Sequence, residues 1–519
     1  MSRRTTALVI AFSVVTGAAS YAVLGSGRGP DAPPACKRDL ASGDSVLSGT
    51  PVSVATDLAK ALFGCSPAVV VANADRTADV AAAVPVAEQA HAPLLLSAPP
   101  PAVATSVSSG RGVAGARETG QAASASTVAA LREISGLRPR SVLAVGLTTG
   151  ELSAEMPGAH VTTDPGGLAT MPQPKPRSHV VVLVSSGGSA DTLAATATAE
   201  AAGAEVVPVH GYDPRADPAA ITALDAARPR QVIAVGSGFG PASRLDSRLG
   251  VVMTGVQLPG GGQDVVPMHR LVALYGHPGV PSLGALGEQG ISASVARIKR
   301  LAASYQKLSK SAVVPAFEII TTVATAAAGP DGTYSAETPI SELQPWVQAA
   351  SAAGLYVILD LQPGRANFLT QAKVYEPLLK LPNVGLALDP EWKLQAGQLP
   401  LQQIGSVSIT EVNSVVSWLA QLTAEYNLPQ KLLVLHEFKL GEIADLQALD
   451  THEDDLAVVM DMDGQGTPAM KQQTWEAVTS TTPHGVPFGW KNFFVKDQPM
   501  LDPSQTMTRA PQPVMISYE

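Results

Sequence analysis

Cysteine is almost absent from this chain of 519 residues, which carries only Cys36 and Cys65. Two thiols cannot build a disulfide scaffold or a cysteine zinc cluster, and neither has a neighbouring histidine to make it a nucleophile. Aromatic residues supply 4% of the chain and charged residues 15%. This composition excludes an aromatic-rich sandwich and a charged, disordered chain, and favours closely packed α/β layers. Basic charge is scarce as well. With a formal net charge of −9 and no basic stripe, a nucleic-acid partner is excluded. The cluster Arg297-Ile298-Lys299-Arg300 suits one face of an amphipathic helix. No GxGxxG or P-loop lysine follows a strand, and no GxSxG turn follows one, so neither a nucleotide cofactor nor a serine nucleophile is expected.

What the chain does have begins with one long apolar run. Ser2-Arg3-Arg4 gives a cationic start, and Ala7 to Leu24 is almost uncharged, with small residues at Gly17-Ala18-Ala19. That pattern predicts an exported protein whose residues 1–35 form a signal peptide and linker, or a single retained membrane anchor. In an oxidising compartment the early pair Cys36 and Cys65 is most simply a disulfide, the alternative being two buried thiols.

Short β-rich runs then alternate with Ala-rich helical segments, and the order repeats. The first unit, residues 36–170, places strands at VVVA (69–72), PLLLS (93–97) and SVLAVG (141–146), with helices at 78–90 and 126–134. The second, residues 171–258, places strands at SHVVVLVS (178–185), AEVVPVH (204–210) and QVIAVG (231–236), with helices at 189–202 and 217–227. Asp79 matches Asp191 near a helix start, and LRPRSVLAVG (137–146) matches ARPRQVIAVG (227–236). Such units predict small parallel sheets covered by helices. Linkers fall at Pro172-Gln173-Pro174-Lys175-Pro176 and Leu258-Pro259-Gly260-Gly261-Gly262.

The run AVVVANADRTADVAAAVPVAEQAHAPLLLSAP (68–99), followed by LRPRSVLAVG, resembles the cell wall-binding repeat 2 family. The resemblance covers about residues 50–255 and implies a partner among envelope or cell-wall polymers.

From residue 265 to 519 eight apolar strand candidates occur: LVALYG, AVVPAFE, LYVILD, VGLALD, KLLVLHE, LAVVMD, VPFGWKN and PVMISYE. Helix-compatible segments separate most of them. The span, close to the roughly 250 residues typical of such folds, predicts a (β/α)₈ barrel resembling glycosidase scaffolds. Polar residues gather at the strand ends: Tyr275 and His277, Glu318, Asp360, Asp389 and Glu391, His436 and Glu437, Asp461 and Asp463, Trp490 and Lys491, and Tyr518. In a barrel those ends share one face, where active sites are assembled.

Paired carboxylates there suit glycosidic hydrolysis, in which one protonates the leaving oxygen and the other activates water or attacks carbon. Glu391 is the expected acid, with Glu437 or Asp461 as its partner. The substrate contacts are expected from Tyr275, His277, Glu318, Asp360, Asp389, Trp392, His436, Asp463, Trp490 and Lys491. Two other readings share this ring. One is a glycan receptor without turnover. The other is metal-assisted phosphodiester hydrolysis using His277, Glu318, Asp360 and His436, although their spacing is no metal signature and no metal is expected.

Overall fold

The computed structural model describes residues 43–97 and 136–519. The apolar run at 7–24, Cys36 with its expected bond to Cys65, and the helix expected at 126–134 lie outside the described residues. The membrane anchor is corrected. Among the described residues no helix is long and apolar enough to cross a membrane.

The α/β region holds two four-stranded parallel sheets. In chain order its strands are β1 (Ser45–Leu47), β2 (Ala68–Asn73), β3 (Leu94–Ser97), β4 (Ser141–Val145), β5 (His160–Thr162), β6 (Arg177–Ser185), β7 (Ala204–Val209) and β8 (Gln231–Val235). One sheet runs β3-β2-β4-β5 and the other β1-β8-β6-β7. Each therefore sets its unit's second strand beside the first and the first beside the third, so the sequence repeat is also a topological one. The two differ in their fourth strand. β5 follows β4 within the first unit, whereas β1 reaches over from the start of the described chain to pair with β8, Val46 opposite Ala234. Neither short strand was expected from sequence, because three residues carry too little periodicity to read.

Alanine explains how the sheets come together. The helix Pro51–Phe63 begins where Thr50 accepts a hydrogen bond from Ser53 N–H and Pro51 fills the first turn, and it ends at Gly64, with φ 67°. It packs with Thr77–Ala90 and Ala190–Ala201 between the two sheets. Ala83, Ala87, Ala194 and Ala197 share a single core there, and small side chains let the helices approach closely. Thr198 crosses from its helix to β3, donating to the Leu94 carbonyl and accepting from its N–H.

The remaining chain closes as an eight-stranded parallel barrel. Its strands are β9 (His269–Gly276), β10 (Ala312–Ala324), β12 (Tyr356–Leu361), β13 (Val384–Leu388), β15 (Lys431–Glu437), β17 (Leu456–Met462), β18 (Phe488–Asn492) and β19 (Met515–Tyr518). The ring closes where β19 pairs with β9, Met515 opposite Leu271. All eight expected strands are present. Three short strands add to them: β11 (Ser335–Glu337), antiparallel to the long end of β10, and the pair β14 (Val407–Ser408) and β16 (Ile443–Ala444).

Side chains alternate across each strand. Phe317, Ile319, Leu359, Leu435 and Met460 pack outward against the helices. Ala273, Ala316, Ile358, Val434 and Val459 fill the lower interior. Continuing the inward series towards the C-terminal ends brings Tyr275, Glu318, Asp360, Asp389, His436, Asp461 and Lys491 into one layer.

Charge ties the barrel base to the second sheet. Arg215, 2% exposed, donates to both carboxylate oxygens of Asp213 and to the Asp454 carboxylate and carbonyl, with Asp264 at 3.4 Å. Arg248 also holds Asp454, at 2.7 Å. Burial, only partly offset by Arg215, pushes the Asp264 carboxyl up to about 7.

Candidate active site

The centre of the inward layer is His436. Its Nε2 lies 3.0 Å from Glu318 Oε1, and its Nδ1 faces Asp461 Oδ2 at 3.4 Å and Asp463 Oδ2 at 3.6 Å. Burial favours the neutral ring, but the hydrogen bond and charge of Glu318 outweigh it and hold the imidazole well above its ordinary pKa. Asp461 is fully buried beneath it, and neither of its oxygens has a hydrogen-bond partner. Burial pushes this carboxyl up to about 7, against the pull of His436. The interior position beside it on β18 is Gly489, where a Cβ would collide with the Asp461 carboxylate.

On the opposite side, Tyr275 donates to Asp360 Oδ2 at 2.9 Å, and the Lys491 ammonium sits 3.4 Å from the centre of the tyrosine ring. Lys491 also pairs with Glu519 at 3.1 Å. Although burial opposes it, the charges of Glu519 and Asp463 keep this lysine above its usual pKa. Burial raises Asp360 to about 6, with His436 lowering and Glu318 raising it.

Above this layer, β13 gives way to the turn Asp389-Pro390-Glu391-Trp392. The turn is braced by Lys393, whose ammonium bonds the Ala366 carbonyl and Glu411, and by Gly405, whose N–H donates to the Glu391 carbonyl at 2.6 Å. A Cβ at Gly405 would strike the carbonyls of Glu391 and Lys393, so only glycine admits this approach. The turn carries Glu391 over the mouth towards Asp463, two residues beyond Asp461 and on the same inward parity. One carboxylate oxygen from each of Asp389, Glu391 and Asp463 lies within 4.8 Å of the other two. Asp389 is 2% exposed and its Oδ1 has no partner. Burial and the neighbouring Glu391 and Asp360 charges drive its pKa well above the carboxylate range. Burial and Asp463 raise Glu391 to about 7, while Lys491 and His436 pull it down. Asp463 is also raised by burial, but His436 and Lys491 oppose the shift first.

These groups open into a cavity of about 500 Å³ at the barrel mouth, where Trp392, Phe438 and Phe493 accompany Glu391, Asp463, Lys491 and Glu519. An opening of this kind meets the usual size of a small-molecule site.

Strand parity sorts the sequence candidates. Tyr275, Glu318, Asp360, Asp389, His436, Asp461, Asp463 and Lys491 converge, and Glu391 and Trp392 join them from the turn. Trp490 does not. It points outward, fully buried against Trp475, and donates to Asn492 Oδ1. Tyr518 likewise faces the helix layer, bonded to Tyr305. His277 lies past the strand end, held by Thr338 Oγ1 at 3.1 Å, so the four residues considered for a metal do not come together. Glu437, of opposite parity to His436, lines a neighbouring groove with Ile409, Leu440 and Ile443, and burial raises it to about 7. Glu519 was missed, although alternation along Met515, Ser517 and Glu519 would have found it. Lys496, Phe438 and Phe493 belong to loops and gave no periodic signal.

No family model matches the chain, and no curated protein matches it. The resemblance to the cell wall-binding repeat 2 family accordingly stays with the residues that carry it. Among solved structures, Cwp6 from Clostridium difficile is similar with a TM-score of 0.30 and 12% identity, over 65% of this chain and 66% of that chain. The chain thus spans just under two thirds of that structure, and a likeness so low carries no functional argument.

Proposed function

We propose that the barrel mouth hydrolyses a glycosidic bond, with Glu391 as proton donor and Asp463 as the ionised partner. The observation that carries this reading is the close approach of Glu391 and Asp463, whose nearest oxygens lie within 4.8 Å, beside aromatic side chains in an open cavity. So close an approach suits direct attack by the second carboxylate, as in retaining glycosidases. A carboxyl near pKa 7 is half protonated at neutral pH and suits a general acid. Burial raises Asp463, and His436 and Lys491, which oppose that shift, are the groups that hold it ionised for attack on the anomeric carbon. Asp461 then acts through His436 rather than on the substrate. Residues 1–35 direct export, and the units 36–170 and 171–258 carry the barrel, residues 265–519, in the cell envelope. The test is hydrolysis of defined envelope glycans and aryl glycosides, with mass spectrometry of the protein trapped by 2-fluoro glycosides. A covalent sugar on Asp463 supports the reading, and wild type that binds but never cleaves makes the site a receptor.

A second reading is a divalent cation held by Asp389, Glu391 and Asp463, in support of phosphodiester hydrolysis. The unpartnered, buried Asp389 oxygen favours it, since hard cations take clustered carboxylate oxygens. Calcium, magnesium or manganese would then raise the melting temperature, and EDTA would abolish turnover. Turnover indifferent to EDTA removes this reading.

A further inference from the structure

Glu391 does not line one cavity but two. Beyond the mouth, a second cavity of about 300 Å³ shares Glu391 and Trp392 with the first and continues along Leu394, Pro400, Leu401 and Ile404. The two differ in chemistry. The mouth cavity carries Asp463, Lys491, Lys496 and Glu519, whereas the second has none of these and is walled largely by apolar side chains.

Leu401 is the oddest feature of this wall. It is 84% exposed, and its backbone sits in the left-handed region with φ 62°. A bulky L-residue is rarely found there, because Cβ crowds its own carbonyl. Ile404, close by in the same loop, is also exposed. The free chain thus holds two large apolar groups in water, one on a strained backbone. Leu401 gains little from the fold itself, and both would gain from an apolar ligand.

The placement of the carboxylates says which part of a substrate lies where. A general acid must reach the leaving oxygen, so it stands between the two halves of the cleaved bond, as Glu391 does. The partner carboxylate touches only the sugar that is attacked, and Asp463 lines only the polar cavity. We infer that the Trp392–Ile404 loop forms a leaving-group subsite for an apolar aglycone, an alkyl or aryl chain, while the polar cavity takes the sugar. This rests on the glycosidase reading of the same carboxylates. In the step, the O-glycosidic bond breaks as the Glu391 proton passes to the leaving oxygen and Asp463 bonds the anomeric carbon. Water then cleaves that ester, and its proton returns to Glu391.

The test uses methyl, butyl and octyl glucosides, galactosides and N-acetylglucosaminides with the full exported chain. If the aglycone enters the apolar cavity, kcat/KM for the cleaved sugar rises about thirtyfold or more from methyl to octyl, as buried methylenes accumulate. In the double variant Leu401→Asn, Ile404→Ser the octyl-to-methyl ratio falls towards one. Asparagine tolerates the left-handed backbone, so folding is preserved, which an unchanged melting temperature verifies. A ratio independent of chain length in wild type, or untouched by the double variant, overturns the inference. If no glycoside is cleaved, the glycosidase reading falls. Calorimetric titration of Glu391→Gln with the octyl and methyl series then decides the subsite alone, since equal affinities overturn it and a preference for octyl that the double variant loses supports it.

Discussion

The two regions of the described chain build their parallel strands from the same residues, Val, Ile, Leu and Ala, and end them differently. In the α/β sheets the strands close on Asn73, Ser97, Ser185, or on Gly146 and Gly236 just past β4 and β8, groups that turn the chain and carry no charge. In the barrel the equivalent ends are Glu318, Asp360, Asp389, His436, Asp461 and Lys491, fully or almost fully buried. Several of those carboxylate oxygens have no partner. Burying unpaired carboxyls opposes folding, and Asp360, Asp389 and Asp461 are held there with pKa values raised by burial. The α/β region shows how these strands end where no charge is gathered. The barrel mouth shows the same architecture giving up stability to hold charges close together.

The comparison breaks first at the place where the α/β region joins buried charge to the barrel. Arg215→Ala leaves Asp213 and Asp264 without their main partner and Asp454 with Arg248 alone, and the expected loss is about 3–5 kcal/mol in chemical denaturation. A loss under about 1 kcal/mol would mean that the clamp is solvated and the two regions are joined by packing alone. Next, Leu95→Ala empties a fully buried position of β3 and should cost about 2–4 kcal/mol, with no change in turnover. Altered kinetics would show that the α/β region takes part in the site.

The charged layer has its own signature in pH. Asp360, near 6, and Glu391, Glu437 and Asp461, near 7, bind protons more tightly folded than unfolded. Their stabilisation is full below about pH 4 and is lost as pH rises through their folded pKa values. Unfolding free energy should therefore decline between about pH 4 and 7, by up to a few kcal/mol per group, and Asp461→Asn should flatten the slope. A flat wild-type profile would mean that water or a cation satisfies these carboxyls. The smallest effect is expected at Trp490. Trp490→Phe removes its bond to Asn492 and should cost about 1 kcal/mol while turnover stays within about twofold, because the ring faces the helices.

How far the sequence could be read follows from periodicity. All eight barrel strands were legible, because continuous apolar runs separated by amphipathic segments leave little choice of fold. The helix Ala242–Val252 and the strands β1 and β5 were not, being polar or too short. At the site, residue type was legible and direction was not always used. Trp490 and Lys491 are neighbours, as are His436 and Glu437, and only one of each pair enters the barrel. Chemistry nominates both members, and the two-residue repeat of a strand chooses between them. The proximity of Asp463 to Glu391 follows from geometry alone, since a turn after β13 and the end of β17 had to meet in space.

The central claim is that Glu391 donates the proton. Its most direct test is the pH dependence of glycoside hydrolysis by wild type and Glu391→Gln. A general acid with a pKa near 7 works protonated, so wild-type kcat/KM should hold below that pH and fall above it. The variant should bind glycans as before, lose the alkaline limb, and turn over about a hundredfold more slowly or worse. Unchanged turnover in Glu391→Gln, or an alkaline limb that survives the substitution, would contradict the account.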